Sequence, residues 1–186
     1  TMAKFFPKLS SALEAFIGEQ QMFFVATADT DGRVNLSPKG LDSLRVLGPE
    51  RIIWLNLTGS GNETAAHLLG VNRMTLMFCS FAGNPLILRV YGTARAVYPG
   101  DNDWDALAAT FTRLDGARQI FDLQIESVQT SCGYAVPQYN YVGQRDRLYK
   151  WAEQKGEEGI QQYWVDRNTE SIDGKPTGMP QPDATP

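Results

Sequence analysis

The 186-residue chain contains a single histidine, His67, and only two cysteines, Cys79 and Cys132. One histidine excludes a zinc site built on histidines, because such a site needs several imidazole ligands. The two cysteines lie far apart and form no C-x-x-C pair, so neither a thiolate metal site nor a disulfide framework is expected. This cysteine usage favours a reducing, cytoplasmic setting.

Long apolar runs and an excess of basic residues are also missing. No stretch approaches the roughly 20 apolar residues that span a bilayer, and no apolar core of a secretory signal accompanies Lys4 and Lys8. The net charge of −4 argues against nucleic acid as the main partner. The length and the 42% content of hydrophobic residues suit one folded domain.

Signatures of hydrolytic catalysis are absent as well. There is no G-x-S-x-G motif, and no spacing of acidic residues marks a paired-carboxylate hydrolase. Two familiar phosphate loops are excluded too. Asn62 and Glu63 follow Gly61 where a P-loop requires lysine and serine or threonine, and Thr64 replaces the third glycine of the dinucleotide fingerprint.

What the sequence does contain is a series of short β-rich runs with turn signals between them. Helical spacing of apolar residues over 9–17 predicts an opening helix. Strands are predicted at 22–28, 33–39, 51–57, 73–80, 86–98 and around 121–128, and helices at 65–69, 101–113 and in part of 145–168. This order favours a mainly β (α+β) fold, an antiparallel barrel or sheet with peripheral helices.

The C-terminal third carries two further signals. Gly156 and Gly159 weaken the last helical pattern in its middle. Beyond Ser171 the sequence is rich in glycine, proline, aspartate and threonine, which predicts a flexible tail over 171–186. A single domain is therefore expected over 1–170.

The segment Thr58-Gly59-Ser60-Gly61-Asn62-Glu63-Thr64 lies between a predicted strand and a predicted helix. Its glycines let the backbone approach a ligand closely, and the first N–H groups of a helix lack internal partners. Such N–H groups and the positive end of the helix dipole together attract anions, most often phosphates. The same residue types also make an ordinary helix cap and loop, so both interpretations stay open.

The strand at 33–39 has two unlike faces. Val34 and Leu36 point to one side, whereas Asn35, Ser37 and Lys39 point to the other. A polar face that ends in a cation fits a strand lining a cleft, where Lys39 neutralises a phosphate, but it also fits a solvent-facing strand. Pro38 marks a strand end or a bulge.

Alternation over 88–95 places Arg89, Tyr91 and Arg95 on one face. This face fits a cationic cluster that also includes Arg73, and it equally fits an ordinary surface strand. Gly92 within this strand indicates a bulge or a close backbone approach. The aromatic segment 131–141 suits a wall for a planar ligand, a subunit contact or the end of a barrel. Arg145 and Arg147 follow it and suit either an anionic substrate or ion pairs with nearby acids.

The order of these motifs resembles the pyridoxamine 5′-phosphate oxidase-related flavoproteins. The resemblance rests on Asn35-Leu36-Ser37-Pro38-Lys39-Gly40, on Trp54 to Thr64, on Arg73 to Phe78 and on Leu88 to Gly92, and it extends to one subgroup over 131–147. It implies an antiparallel split β-barrel, FMN as the cofactor, and a homodimer with the cofactor at the interface.

Carried over by position, the resemblance also implies the cofactor-binding residues, while it leaves the catalytic residues unknown. They are Asn35, Ser37, Pro38, Lys39, Gly40, Thr58, Gly59, Ser60, Gly61, Asn62, Thr64, Arg73 and Arg89, with the last two as weaker cationic support. The true oxidases carry a C-terminal arginine–histidine pair, which is impossible here because no histidine follows His67. The implied function is therefore FMN-dependent oxidation or reduction of an unknown small molecule, not vitamin B6 oxidation.

Two alternatives remain from the sequence. One is a deazaflavin-dependent reductase of the same barrel class, whose cofactor has a longer acidic tail. The other is a non-enzymatic flavin- or haem-binding protein, for which His67 is the sole histidine available as an axial ligand.

Overall fold

The structure is a computed structural model that describes residues 3–180. Its strands are β1 Lys4–Phe6, β2 Phe23–Thr27, β3 Asn35–Lys39, β4 Leu44–Gly48, β5 Arg51–Leu57, β6 Met74–Cys79, β7 Ile87–Val97 and β8 Ala117–Ser131. Its helices are α1 Ser11–Glu19, α2 Glu63–Gly70, α3 Trp104–Ala108 and α4 Arg147–Arg167. Within these residues, no helix is both long enough and apolar enough to cross a bilayer.

All strands join one sheet in the order β3-β2-β6-β7-β8-β5-β4, and β1 pairs along β8. Every pairing between these strands is antiparallel. The sheet curls but does not close, so β3 and β4 remain at its two ends. The prediction of a mainly β fold with an antiparallel split barrel is confirmed.

The core forms on both sides of β5. On one side, the ring of Trp54 stacks on Phe121 with centroids 4.6 Å apart, and Phe23 packs against both Trp54 and Phe78. On the other side, Ile53 belongs to a second apolar cluster that includes residues of α3. Because both faces of β5 are covered, the strand reads as a continuous apolar run rather than an alternating one.

Several element bounds differ from the sequence prediction. Strands β1 and β4 are not anticipated, and α3 covers only five residues of the predicted 101–113 helix. Strand β8 begins at Ala117, before the predicted start near Phe121. Gly156 has φ of 66° and interrupts α4, which agrees with the weakness expected there.

The described part of the predicted C-terminal tail packs onto the barrel. The carboxylate of Asp173 accepts a hydrogen bond from the backbone N–H of Arg33 at 2.7 Å and pairs with its guanidinium. Lys175 pairs with Asp29 at 2.6 Å. Through residue 180 these contacts join opposite charges that are distant in sequence. The flexibility of the tail stays a prediction, and the remaining tail residues lie outside the described residues. The domain boundary at residue 170 stays a prediction.

Gly92 permits a close approach between β7 and β8, where the pairing register shifts. A Cβ atom at this position would overlap the carbonyl oxygen of Gln124. We therefore expect Gly92→Ala to lower the free energy of unfolding by about 1–3 kcal/mol, measured by urea denaturation. Gly48→Ala is the matched control, because a Cβ there meets no atom within 4 Å. Equal stability of the two variants would contradict this view of the β7–β8 contact.

Candidate functional site

A cleft of about 560 Å³ lies between β3 and the loop of residues 58–62 that connects β5 to α2. The polar face of β3 points into it. Asn35 Nδ2 donates to Thr64 Oγ1 at 3.2 Å, and Ser37 Oγ donates to Asn35 Oδ1 at 3.0 Å. Lys39 Nζ lies 3.5 Å from Asn56 Oδ1. The strand thus presents an amide, a hydroxyl and an ammonium group to one cavity.

Lys39 is half-buried and has no acidic partner among the described residues. Its Nζ lies 5.3 Å from the ring centroid of Trp54, a distance at which a cation is attracted to the aromatic face. Burial, and secondarily the nearby positive charge of Arg118, lowers the pKa of Lys39 from its ordinary value of 10.5 to about 8. None of the salt bridges within residues 3–180 includes Lys39.

Arg118 is a second cation in the same cleft. Its side chain is 2% exposed, and its Nε donates to Gln119 Oε1 at 2.8 Å. Its Nη1 has no hydrogen-bond partner among the described residues, and no salt bridge within them includes it. Burial lowers the pKa of Arg118 to about 10. Arg118 lines the cleft, and a buried guanidinium donor without an acceptor is rare in folded proteins.

The N-terminus of α2 adds backbone donors to these cations. Asn62 occupies the N-cap position, yet its side chain makes no capping hydrogen bond. Its Oδ1 accepts from Gln119 Nε2 at 2.6 Å, and its Nδ2 donates to the Asn168 carbonyl at 3.3 Å. The N–H groups of the first turn of α2 are therefore left for another acceptor at the positive end of the helix dipole.

The 58–62 loop is held from behind by the C-terminal part of the chain. Trp164 Nε1 donates to Thr58 Oγ1 at 2.7 Å, and the Thr58 N–H donates to the Gly116 carbonyl at 2.7 Å. Asn168 Nδ2 donates to the Gly59 carbonyl at 3.1 Å. These bonds fix the loop backbone, so its position does not depend on a ligand.

This donor set fits a phosphate monoester. A half-buried cation, a buried cation and a helix N-terminus border one cavity. Charge-assisted hydrogen bonds from such groups are the usual means of holding phosphate oxygens. The described residues bring no carboxylate into a salt bridge with either cation, so the positive charge is not neutralised internally. The arrangement can therefore bind an anion without first breaking an ion pair.

The structure brings most of the predicted cofactor-binding residues together. Those that line this cleft are Asn35, Ser37, Pro38, Lys39, Gly59, Ser60, Gly61, Asn62 and Thr64. Four others lie outside it. Thr58 is buried behind the loop, Gly40 borders a neighbouring cavity, Arg73 is exposed elsewhere, and Arg89 donates to Ser131 Oγ at 3.3 Å. The cofactor role of each residue stays a prediction.

Sequence analysis missed Arg118, the most deeply buried cation of the cleft. The predicted strand began near Phe121, so Arg118 fell outside it, although the observed β8 starts at Ala117. A signal was present in the sequence. Arg118 directly precedes Gln119 and an apolar run, and a lone arginine at the start of a buried strand indicates a functional role or an internal partner.

His67, the only histidine, is not positioned as a ligand. It is 2% exposed, and its Nδ1 lies 3.0 Å from Thr27 Oγ1, within hydrogen-bonding distance. The residue packs α2 against β2. An axial bond to haem would have to use the other ring nitrogen, Nε2, and would require the nearly complete burial of the ring to be relieved.

Comparison with known proteins identifies the family. The family model described as pyridoxamine 5′-phosphate oxidase matches residues 9–132. The chain belongs to the pyridoxamine 5′-phosphate oxidase family. It is 35% identical over 193 aligned residues to the pyridoxamine 5′-phosphate oxidase family protein ustO of Aspergillus flavus, an alignment that covers 94% of this chain and 78% of that protein.

Solved structures support the same fold. A Lactobacillus delbrueckii protein solved as a candidate pyridoxamine 5′-phosphate oxidase has a TM-score of 0.52 and 22% identity, over 66% of this chain and 94% of its own. HupZ of Group A Streptococcus has a TM-score of 0.53 and 21% identity, over 64% of this chain and 91% of its own. At this level of identity, the similarity to these members shows the split barrel alone.

Replacing Lys39 with methionine should stabilise the ligand-free protein. The folded pKa of about 8 lies below the ordinary 10.5, so the buried charge opposes folding at neutral pH, by at most about 3 kcal/mol. Above pH 10.5 the amine is neutral in both states and this penalty vanishes. In urea denaturation, the gain of Lys39→Met over wild type should be largest below pH 8 and shrink between pH 8 and 10.5. A gain independent of pH would refute the burial of a charged amine.

Proposed function

We propose that this family member is an FMN-dependent oxidoreductase that holds the flavin phosphate in the cleft between β3 and α2. The observation that carries the proposal is a pair of cations, the half-buried Lys39 and the buried Arg118, which lack acidic partners within residues 3–180. Burying an unpaired charge costs several kcal/mol, so a protein retains such a pair where a ligand neutralises it.

A phosphate monoester suits this requirement better than a carboxylate. Near neutral pH it carries close to two negative charges, because its second pKa is about 6, and it offers three acceptor oxygens. Lys39, Arg118 and the first-turn N–H groups of α2 supply matching donors. The cleft volume of about 560 Å³ also falls within the range of small-molecule sites, roughly 300–1,000 Å³.

The bound flavin would supply the electron-transfer chemistry through its ring system. The residues of this chain would hold and orient it. Asn35 and Ser37 form a hydrogen-bonded pair on the same face of β3 as Lys39, and they offer polar contacts to the part of the ligand beyond the phosphate. The rigid 58–62 loop keeps the backbone donors in place before binding, which reduces the entropy lost on association.

We further propose that the protein forms a homodimer with the cofactor at the interface. Strand β3 is an end strand of the sheet. Leu36 on its outward face and Val34, just before the strand, are 63% and 73% exposed. Both residues also border the cleft. An apolar edge strand invites association, and a second copy covering it would enclose the ligand on its open side.

The cofactor is tested by denaturing the purified protein and identifying the released small molecule by mass spectrometry, with FMN as the expected mass. Arg118→Gln or Lys39→Ala should raise the Kd for FMN about 10- to 100-fold, or about 1.5–3 kcal/mol, because each removes a charge-assisted contact to phosphate. The Kd for riboflavin, which lacks the phosphate, should change little. Flavin fluorescence quenching measures both constants.

Arg73→Gln and Arg89→Gln are matched controls, because these arginines lie outside the cleft. Both variants should bind FMN like the wild type. If Arg118→Gln weakened FMN and riboflavin equally, the guanidinium would not contact the phosphate. Release of a deazaflavin or of haem would show that one of these is the cofactor and that FMN is not. If the FMN-loaded protein did not accept electrons, the proposed oxidoreductase activity would be wrong, while FMN binding would stand.

The dimer is tested by placing a charge on the outward face of β3. Leu36→Asp should shift the protein from dimer to monomer in analytical ultracentrifugation and weaken FMN binding, since desolvating a carboxylate at an apolar interface is unfavourable. Leu114→Asp is the control, because Leu114 is an exposed leucine in the loop before β8. A Leu36→Asp dimer with wild-type FMN affinity would exclude this face as the interface.

A further inference from the structure

A second cavity, of about 1000 Å³, lies next to the flavin cleft. Its walls are the C-terminal end of α1, the β6–β7 turn, the two residues that follow β3, and the segment 139–148, which we call the roof. Gly40 lines this cavity and Lys39, the last residue of β3, lines the first cleft, so two adjacent residues border the two spaces.

The roof is fixed at both ends and open in its middle. At one end, the Tyr139 N–H donates to the Phe81 carbonyl at 2.9 Å, and the two rings lie 5.5 Å apart. At the other end, Gln144 Oε1 accepts from the Leu41 N–H at 3.0 Å, while its Nε2 donates to the Gln21 carbonyl at 2.7 Å. Between these anchors the roof bridges the cavity rather than filling it.

Leu41 shows how the roof is coupled to β3. Its φ is 61°, in the left-handed region that residues with a side chain rarely adopt. Gln144 accepts from the N–H of this residue and thereby holds the turn at the end of the strand. Gly40 also abuts the amide of Gln144 and leaves no room for a Cβ without a shift of that side chain. The backbone at the junction between the two cavities is therefore fixed by the hydrogen bond from Leu41 to Gln144 and by the left-handed conformation of Leu41.

The cavity is mostly apolar and rich in aromatic side chains. Phe16, Met22 and Leu86 contribute to its walls, and the roof adds Tyr139 and Tyr141. Val142, at the centre of the roof, is 99% exposed. Tyrosine and phenylalanine rings at this density suit a flat apolar molecule, because they offer large contact faces at low conformational cost.

The charges on the cavity wall are mainly positive. Arg145 and Arg147 both line it, and none of the salt bridges found within residues 3–180 includes either arginine. Glu19 is the acidic residue on the same wall. The neighbouring Asp146 is already paired with Lys150 at 2.5 Å. Two arginines beside one glutamate leave a net positive charge for an anionic group.

We propose that the roofed cavity is the substrate site, and that it takes an aromatic carboxylate: a flat apolar body between the wall and roof rings, with one anionic group at Arg145 and Arg147. The guanidinium fork matches a carboxylate in shape and charge. That the bound molecule is a substrate rests on the flavin function proposed above, because the site adjoins the flavin cleft at the end of β3. The binding itself does not need that function.

Isothermal titration calorimetry of the full chain with 2-naphthoate, and with neutral 2-naphthamide of the same shape, tests the proposal. We expect one site per chain. Arg145→Gln combined with Arg147→Gln should raise the Kd for naphthoate about 10-fold and leave the Kd for naphthamide unchanged. Tyr141→Ala should weaken both ligands. Lys155→Gln is the matched control, an exposed charge on α4 outside the cavity, and should change neither.

Absence of naphthoate binding at millimolar concentration, or equal binding by the double glutamine variant, overturns the proposal. A second copy of the chain is the competing occupant. If Val142→Asp converts a dimer to a monomer and the wild type does not bind naphthoate, the roof is an interface and the proposal fails. Flavin content is read separately from absorbance. If the protein binds naphthoate in a charge-dependent way but contains no flavin, the ligand site is supported and only the flavin function is overturned. If naphthoate shifts the flavin spectrum, the ligand site and the flavin function are both supported.

Discussion

The placement of two positive charges, on the half-buried Lys39 and the buried Arg118, without an acidic partner among residues 3–180 is the constraint on which the rest of this structure depends. Burial lowers the pKa of both groups, and repulsion by the positive charge of Arg118 is a second cause of the lowered pKa of Lys39. Their hydrogen-bonding neighbours, Asn56 and Gln119, are uncharged amides. An internal carboxylate would relieve the repulsion and would also occupy the place of a ligand. The fold instead leaves the charges without a neutralising partner. The same two charges therefore lower the stability of the ligand-free protein and favour the binding of an anion.

Such an arrangement needs a scaffold that does not relax. Lys39 lies on β3 and Arg118 on β8, and several strands separate them in the sheet order. The two strands approach across the curled sheet rather than as neighbours, so neither can move away without disturbing the core. The Trp54–Phe121 stack lies beneath the cations and joins β5 to β8. The open side of the barrel leaves the cleft accessible while the backbone beneath it stays rigid.

The sequence predicts features that depend on local pattern. Alternation along 33–39 places Lys39 on the polar face that the structure turns into the cleft. It cannot predict features that depend on distant pairs. The composition of the C-terminal segment resembles a flexible tail, yet Lys175 meets Asp29 across most of the chain length. Arg89 donates to Ser131 on β8, a contact that the spacing along 88–95 does not reveal. The sequence does not predict Arg118 as a cleft residue, because a short apolar run places the start of the predicted strand near Phe121 and the observed β8 begins at Ala117.

The bonds from Trp164 and Asn168 to the 58–62 loop have a consequence for biosynthesis. The strands that carry the loop are translated early, whereas its supporting contacts come from residues made more than a hundred positions later. A nascent chain can assemble most of the barrel before these residues emerge from the ribosome. The backbone of the 58–62 loop is therefore held in its final position only once Trp164 and Asn168 have been made.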